Sequence, residues 1–166
     1  MKLHKNIVLS IATIVLSSCS FATNGAEQSS IPTPDIGTNV QVGKFLEVTA
    51  PNGWNSFKTD EAVSLEIRNI SKHPITSGPD FGMRIFVRTD KGWIEVKNKA
   101  SYEYELITLE PTENYDPFKT VGTFVIPDLP DYSVASDIRI FVFGDLIENG
   151  KASKKVASFI DLRLNP

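Results

Sequence analysis

Few residues of this chain could support covalent or metal chemistry. The sequence holds one cysteine, Cys19, and two histidines, His4 and His73. A lone cysteine cannot form an intramolecular disulfide, and the count is too small for a zinc site built from Cys and His. His73 precedes Pro74, and no Gly-x-Ser-x-Gly element accompanies it. We therefore interpret His73 as an ordinary loop residue and predict no catalytic residue, no metal and no cofactor.

Two groups of carboxylates lie in segments rich in Pro, Asn and Asp. Glu110, Glu113 and Asp116 form the first group, and Asp128 and Asp131 form the second. Two carboxylates that converge in a cleft can hydrolyse glycosides, and carboxylate oxygens can also hold Ca²⁺. Asp and Pro are equally typical of solvated turns, and no EF-hand spacing is present. Turns are the favoured interpretation, with a carboxylate-based hydrolase as an alternative.

Three aromatic residues lie where the sequence predicts exposure. Trp54 follows the turn-forming residues 51–53, while Tyr115 and Tyr132 stand beside Asp residues near prolines. Exposed rings can stack on sugars, so these three residues form a candidate platform for a polysaccharide or peptidoglycan ligand. Aromatic residues are also common in strands and dominate β cores. Core packing is therefore the favoured interpretation for most aromatic residues of the chain.

The cysteine follows a short apolar segment with the features of an export signal. Lys2 and Lys5 precede the apolar run 7–16, which is about half of the ~20 residues that a membrane-spanning helix needs. A positive start, a short apolar core and small residues at the end are typical of a cleaved signal peptide.

The run Leu16-Ser17-Ser18-Cys19 resembles the lipobox of bacterial lipoproteins, in which a large apolar residue and two small ones precede the modified cysteine. The resemblance implies that the Cys19 thiol receives a diacylglyceryl group and that a signal peptidase cuts just before it. It further implies that the protein is anchored in a membrane by lipid. Ser20 follows the cysteine, which by the family rule favours the outer membrane of a Gram-negative cell, or otherwise the outer face of the cell membrane.

Composition divides the remainder into a tether and one domain. Residues 20–39 are rich in Ser, Thr, Asn, Gly and Pro, a composition that buries too little apolar surface to order itself. We predict a signal peptide over 1–18, lipidated Cys19 with a flexible tether over 19–39, and a folded domain over 40–166. Cleavage lowers Lys plus Arg from 17 to 15 against 20 Asp plus Glu. The resulting net charge of about −5 argues against nucleic acid as a partner.

Alternating apolar residues predict strands throughout the domain. Val63, Leu65 and Ile67 alternate with polar residues, and Asn149-Gly150 is a strong hairpin signal. The segment 138–143 is apolar on both faces, as in a central strand. The other predicted strands are 45–49, 83–88, 93–96 after the turn 90–92, 102–109, 121–126 and 156–164. The predicted core includes Ile67, Ile85, Ile140 and Leu162.

About eight strands without helical periodicity favour an all-β fold. We predict an antiparallel β-sandwich of immunoglobulin-like or fibronectin-like type, with a small barrel or jelly roll as the alternative. Combined with the N-terminal resemblance, this predicts a non-enzymatic, membrane-anchored lipoprotein of the cell envelope. Its domain would serve protein interaction or an accessory role. A carbohydrate- or peptidoglycan-binding module is the alternative.

Overall fold

The computed structural model describes residues 33–51, 55–100, 105–111, 120–125 and 136–165. The chain divides into two units, Met1–Ile31 and Pro32–Pro166, and every described residue belongs to the second. The described residues form eleven strands, and Pro79–Gly82 forms a short 3₁₀ turn. The strands are β1 Val40–Val42, β2 Leu46–Thr49, β3 Ser56–Lys58, β4 Ala62–Asn69, β5 Ile75–Ser77, β6 Arg84–Thr89, β7 Gly92–Val96, β8 Ile107–Leu109, β9 Thr120–Val125, β10 Ser136–Glu148 and β11 Lys151–Asn165.

The strands make two sheets, and the longest hairpin organises the larger one. β10 and β11 pair antiparallel along almost their whole length. β6 and β5 pair with successive parts of β10, β7 extends β6, and β8 extends β5. β1 and β3 pair with β11 in parallel. The small sheet has the antiparallel order β2-β4-β9. The mostly β, two-sheet architecture agrees with the all-β prediction. The predicted antiparallel pairing was wrong for β1 and β3, which pair with β11 in parallel.

One hydrophobic core contains residues from both sheets. Ile67 of β4 belongs to the same buried cluster as Ile85, Ile140 and Leu162 of the large sheet. Each of these four side chains is buried, which confirms the predicted core. The alternation seen in the sequence has a direct physical cause, because successive strand residues point to opposite faces of a sheet. The two sheets therefore meet across the apolar faces of their strands, in a sandwich-like arrangement.

The predicted Asn-Gly hairpin is confirmed between β10 and β11. Asn149 has φ 53° and Gly150 has φ 73°, and the flanking residues Glu148 and Lys151 pair directly. Positive φ at both central residues is what a two-residue type I′ turn requires, and Asn-Gly tolerates it best. This turn sets the pairing at the tip of the hairpin that carries most of the large sheet, and the register shifts once, between Leu146 and Ile147.

Several strands differ from the prediction. The three-residue strands β1, β3 and β5 had no counterpart in it, so the expected count of about eight was too low. A strand was predicted over 102–109, but among the described residues of that segment only Ile107–Leu109 is a strand. Conversely, β10 begins two residues before the predicted 138–143 and ends five residues after it. Three residues are too few to show an alternating pattern, since many loops match such a pattern by chance.

A buried amide joins β4, the β4–β5 connection and β8 at one corner of the fold. Asn69, at the end of β4, donates hydrogen bonds from Nδ2 to the carbonyl oxygens of His73 (2.8 Å) and Leu109 (2.7 Å). Its Oδ1 accepts bonds from the backbone N–H (2.9 Å) and the hydroxyl (2.7 Å) of Ser71. Asn69 is only 2% exposed. Because all four bonds are made inside the protein, the side chain holds the β4–β5 connection against β8.

Candidate functional site

Most of the candidate residues taken from the sequence lie outside the described residues. This holds for Cys19 and for the proposed platform of Trp54, Tyr115 and Tyr132, so the lipid anchor and the polysaccharide site stay predictions. It also holds for the carboxylates Glu113, Asp116, Asp128 and Asp131. Glu110 and His73 are described, and both are exposed. The described ranges contain no group of three or more His, Cys, Asp or Glu residues that could hold a metal ion.

A cluster of aromatic and arginine side chains lies on the outer face of the large sheet. Strand register places it there, because Phe86 of β6 is opposite Arg139 of β10, and Phe141 is opposite Phe159 of β11. The neighbouring core residues Ile138 and Ile140 point the other way. We call this surface the aromatic–arginine face; it consists of Arg84, Phe86, Trp93, Arg139, Phe141, Phe143 and Phe159.

Phenylalanine rings form the centre of this face. The Phe141 ring contacts Phe86 edge-on with ring centroids 5.9 Å apart. It also lies 5.9 Å from the Phe143 ring and 5.3 Å from the Phe159 ring. Phe141 is thereby fully buried, whereas Phe159 is 38% exposed. The rings make a second apolar cluster that is distinct from the main core, with part of its surface open.

Two arginines lie across the rings, and each is neutralised by a carboxylate. Arg139 donates two hydrogen bonds to Asp161, at 2.6 and 2.8 Å, and its guanidinium lies 4.4 Å from the Phe159 ring centroid and 5.4 Å from that of Trp93. The Arg139 side chain is only 13% exposed. Bidentate pairing combined with stacking on rings holds the planar guanidinium in one place. The positive charge is therefore satisfied within the face rather than free for an anionic ligand.

The second arginine is paired in the same way. Arg84 donates hydrogen bonds to both carboxylate oxygens of Glu95, at 2.9 and 2.7 Å, and lies 5.0 Å from the Phe86 ring centroid. The hydrogen bond from Arg84 lowers the pKa of Glu95 and outweighs the opposing effect of burial. The same hydrogen bond raises the pKa of Arg84, against desolvation, with further support from the charges of Glu95 and Asp35.

The Glu95 shift predicts a pH-dependent contribution to stability. A carboxylate whose pKa is lower in the folded state stabilises the fold at a pH above its unfolded-state pKa of about 4.3. This contribution is lost as the pH falls through the folded-state pKa. Replacing Glu95→Gln should therefore cost about 0.2–1 kcal/mol at pH 7, the range for exposed ion pairs, and progressively less below pH ~4. Urea unfolding of the wild type and the variant at pH 7 and at pH 3 measures how this cost changes. Glu110→Gln serves as the exposed control, and an undiminished cost at pH 3 would contradict the assignment.

The segment that leads into β1 reaches the aromatic–arginine face. Nη2 of Arg84 donates a 3.4 Å hydrogen bond to the carbonyl oxygen of Asp35, and the Asp35 carboxylate in turn accepts one from the Gly37 N–H at 2.9 Å. Pro34 is buried. Residues 33–39 contain no strand before the end of the predicted tether, but their contact with Arg84 ties them to this side of the large sheet.

One signal of the aromatic–arginine face is visible in the sequence. The apolar character of both faces of 138–143 was interpreted as a covered central strand, and β10 does lie between β11 on one side and β5 and β6 on the other. Phe141 is buried on the outer face by neighbouring rings rather than by a second layer of strands. No sequence pattern singled out Phe86 and Phe159, because their proximity depends on cross-strand register.

Comparison with known proteins assigns no family. No family model matches the chain, and no curated protein matches it. Among solved structures, the sporulation control protein Spo0M from Bacillus subtilis has a TM-score of 0.44 and 10% sequence identity, over 74% of this chain and 49% of that protein. The match thus spans about half the length of Spo0M. In the described part of the chain, no helix is long and apolar enough to cross a membrane.

Proposed function

We propose that this protein is a lipid-anchored component of a bacterial cell envelope that presents a non-catalytic β domain for protein interaction or an accessory role. The observation that carries the proposal is the Leu16-Ser17-Ser18-Cys19 motif, which holds the only cysteine of the chain and directly follows a short apolar run. Attachment through two or more acyl chains is stable, whereas one chain of myristoyl size binds only reversibly. With Ser20 after the cysteine, we assign the outer membrane in a Gram-negative cell and otherwise the outer face of the cell membrane.

We further propose that the domain is of immunoglobulin-like or fibronectin-like type. Its two sheets and its mainly antiparallel hairpin connections support this assignment, as does the shared core between β4 and β10. The jelly roll also consists of two sheets and is the competing topology. An experimental structure that includes residues 101–104, 112–119 and 126–135 would distinguish them through the complete strand order.

The composition of the aromatic–arginine face supports the proposed role in protein interaction. Aromatic residues and arginine are enriched at protein interfaces relative to the remaining surface. Here the arginines are already paired with Asp161 and Glu95, so less side-chain freedom is lost on binding than for unpaired arginines. The face therefore has a rigid apolar centre with a charged but neutralised rim.

Replacing Cys19→Ser should release the protein from the membrane. In a bacterial host, the wild type should sediment with membranes, resist a salt wash and gain the mass of its acyl groups. The variant lacks the thiol that accepts the diacylglyceryl group, so it should stay unlipidated and move into the soluble fraction. Ser18→Ala, which keeps a small residue before the cysteine, is the matched control and should behave like the wild type. Salt-resistant membrane binding by the Cys19→Ser variant would overturn the proposed anchor.

A further inference from the structure

We propose that Asn149 is a site of spontaneous covalent modification, at which the tip of the β10–β11 hairpin opens locally and the chain rearranges to isoaspartate. The reacting groups belong to the turn itself: they are the side-chain amide of Asn149 and the backbone nitrogen of Gly150. Because the reaction requires no ligand, cofactor or partner, this inference is independent of the proposed function.

The reaction is an intramolecular acyl transfer followed by hydrolysis. The Gly150 nitrogen attacks Cγ of Asn149, a new C–N bond forms, and the side-chain nitrogen leaves as ammonia, taking up the proton that the Gly150 nitrogen loses. Water then opens the resulting cyclic imide at one of its carbonyl carbons. Attack of water at Cγ gives ordinary aspartate. Attack at the backbone carbonyl carbon leaves the chain linked through the side chain, which is isoaspartate.

The residue after the asparagine decides how easily the ring closes. Glycine has no Cβ, so the Gly150 nitrogen can approach Cγ of Asn149 without a steric clash and can adopt the dihedral angles that the approach requires. The sequence contains the Asn-Gly pair three times, at Asn24, Asn52 and Asn149, and the first two lie outside the described residues. Asn149 and Gly150 are both exposed, so water can reach the reacting atoms.

The closed turn keeps the two reacting groups apart. Asn149 has φ 53° and Gly150 has φ 73°, and the first central residue of a type I′ turn has ψ of about +30°, as the mirror image of type I. With this ψ, the Gly150 nitrogen lies on the opposite side of the Cα–C bond from Cβ of Asn149. Ring closure needs the nitrogen on the same side as Cβ, so the turn must open before the attack can occur.

An irregularity in the hairpin separates the tip from the rest of the ladder. The register shifts between Leu146 and Ile147, and beyond this shift the pairs Ile147–Ala152 and Glu148–Lys151 close the turn. We call residues 147–152 the hairpin tip. Opening the tip breaks these pairs while the long ladder below the shift stays intact, so it is a local event and not an unfolding of the sheet.

The surroundings of the tip also favour its opening. Residues 149–155 are all exposed, so this segment gains little stability from burial. The ion pair between Lys154 and Glu148 is long, at 3.7 Å, and joins two substantially exposed side chains, a type of pair that contributes little. The Ile147 N–H donates a 2.8 Å hydrogen bond to the Pro74 carbonyl, which holds the base of the tip and limits the opening to the turn.

Isoaspartate would not fit the closed turn. Its main chain carries one more carbon atom between the two peptide groups, so the loop is longer than the two residues that a type I′ turn accommodates. The Glu148–Lys151 pair should therefore stay open after the reaction. Ordinary aspartate before glycine also suits a type I′ turn, so this second product should let the turn close again. Isoaspartate thus makes a transient opening permanent.

Site-resolved peptide mapping of the full-length protein tests the assignment. The protein is incubated in mildly alkaline buffer, and mass spectrometry with fragmentation that separates the two isomers follows each asparagine. We expect isoaspartate to form at Asn149 roughly tenfold faster than at Asn55, which is also exposed but precedes Ser56, a residue with a Cβ. Asn149→Gly should abolish the product and keep the turn, since Gly-Gly also suits type I′.

Two further variants test the local route and its consequence. Ile140→Ala weakens the core of the whole sheet, so the rate at Asn149 should stay within about twofold of the wild type if the tip opens by itself. Hydrogen exchange should be faster at the Lys151 amide in protein enriched in isoaspartate. Asn149→Asp adds the same charge without the extra carbon, and its Lys151 amide should keep its protection.

Absence of isoaspartate at Asn149 in the folded protein would overturn the proposal, and a urea-unfolded sample run in parallel shows that the chemistry itself proceeds. Equal rates at Asn149 and Asn55 would likewise refute it. A rate that rises strongly in Ile140→Ala would contradict local opening, because the reaction would then depend on global unfolding. Unchanged Lys151 protection in the isoaspartate form would show that the modified turn still closes, which contradicts the predicted opening of the tip.

Discussion

Ile140→Ala is expected to lower the free energy of unfolding by about 2–5 kcal/mol, the range for truncating a buried isoleucine or leucine. Ile140 is completely buried and lies opposite Ile160 of β11 and Ile85 of β6. The truncation removes apolar contacts in the middle of the large sheet and leaves a cavity that neighbouring strands cannot close without breaking their ladder. Typical domains have a total stability of about 5–15 kcal/mol, so the loss would be a large share of the whole.

Urea unfolding followed by circular dichroism measures the effect, and the chain provides a matched control. Ile70→Ala removes the same atoms from a side chain that is 46% exposed, while the Ile70 N–H keeps its bond to the Phe45 carbonyl. That variant should lose less than ~1 kcal/mol, because nearly half of the Ile70 surface already contacts water. Equal losses in the two variants would contradict the assignment of Ile140 to the core.

Asn69→Ala is expected to cost roughly 3 kcal/mol, since each buried group left without a partner costs about 1–3 kcal/mol. The Asn69 amide makes four hydrogen bonds to Ser71, His73 and Leu109. Removing it leaves the Leu109 carbonyl and the Ser71 N–H without these bonds in a site that is closed to water. The same change also creates a small cavity at the junction of β4, β5 and β8.

The matched control for this second variant is Asn55→Ala. Asn55 is exposed, and its backbone carbonyl, which accepts the Arg163 N–H, is unaffected by the substitution. We expect the control to stay within ~0.5 kcal/mol of the wild type. Hydrogen exchange should also show faster exchange around Ser71 in Asn69→Ala alone. An Asn69→Ala protein as stable as the control would show that water can replace the amide.

The parts of the fold that were predictable are those fixed by local patterns. Val63, Leu65 and Ile67 alternate with polar neighbours because β4 has one face in the core. Asn149 and Gly150 specify their turn because few other residues tolerate positive φ at both positions. By contrast, β1 and β3 owe their structure to β11, more than a hundred residues away in sequence. No short window of sequence contains that information.

The candidate site was less predictable than the core. Core residues are recognisable individually, whereas the aromatic–arginine face exists only once β6, β7, β10 and β11 are in register. A shift of one residue would move Phe141 to the opposite side of the sheet. The stacking of Arg139 on Phe159 likewise depends on its bidentate bond to Asp161 across the hairpin. Residue types alone could not indicate these pairings.

The parallel pairing of β1 and β3 with β11 has a consequence for the order of events in biosynthesis. Both of these early strands receive their hydrogen-bonding partner only when the last fifteen described residues have been made. At a synthesis rate of about 5–20 residues per second, the N-terminal half waits several seconds before the large sheet can close. For a protein exported as proposed above, this delay would keep the chain threadable until it reaches the translocation machinery. The architecture thus makes closure of the large sheet wait for the synthesis of β11.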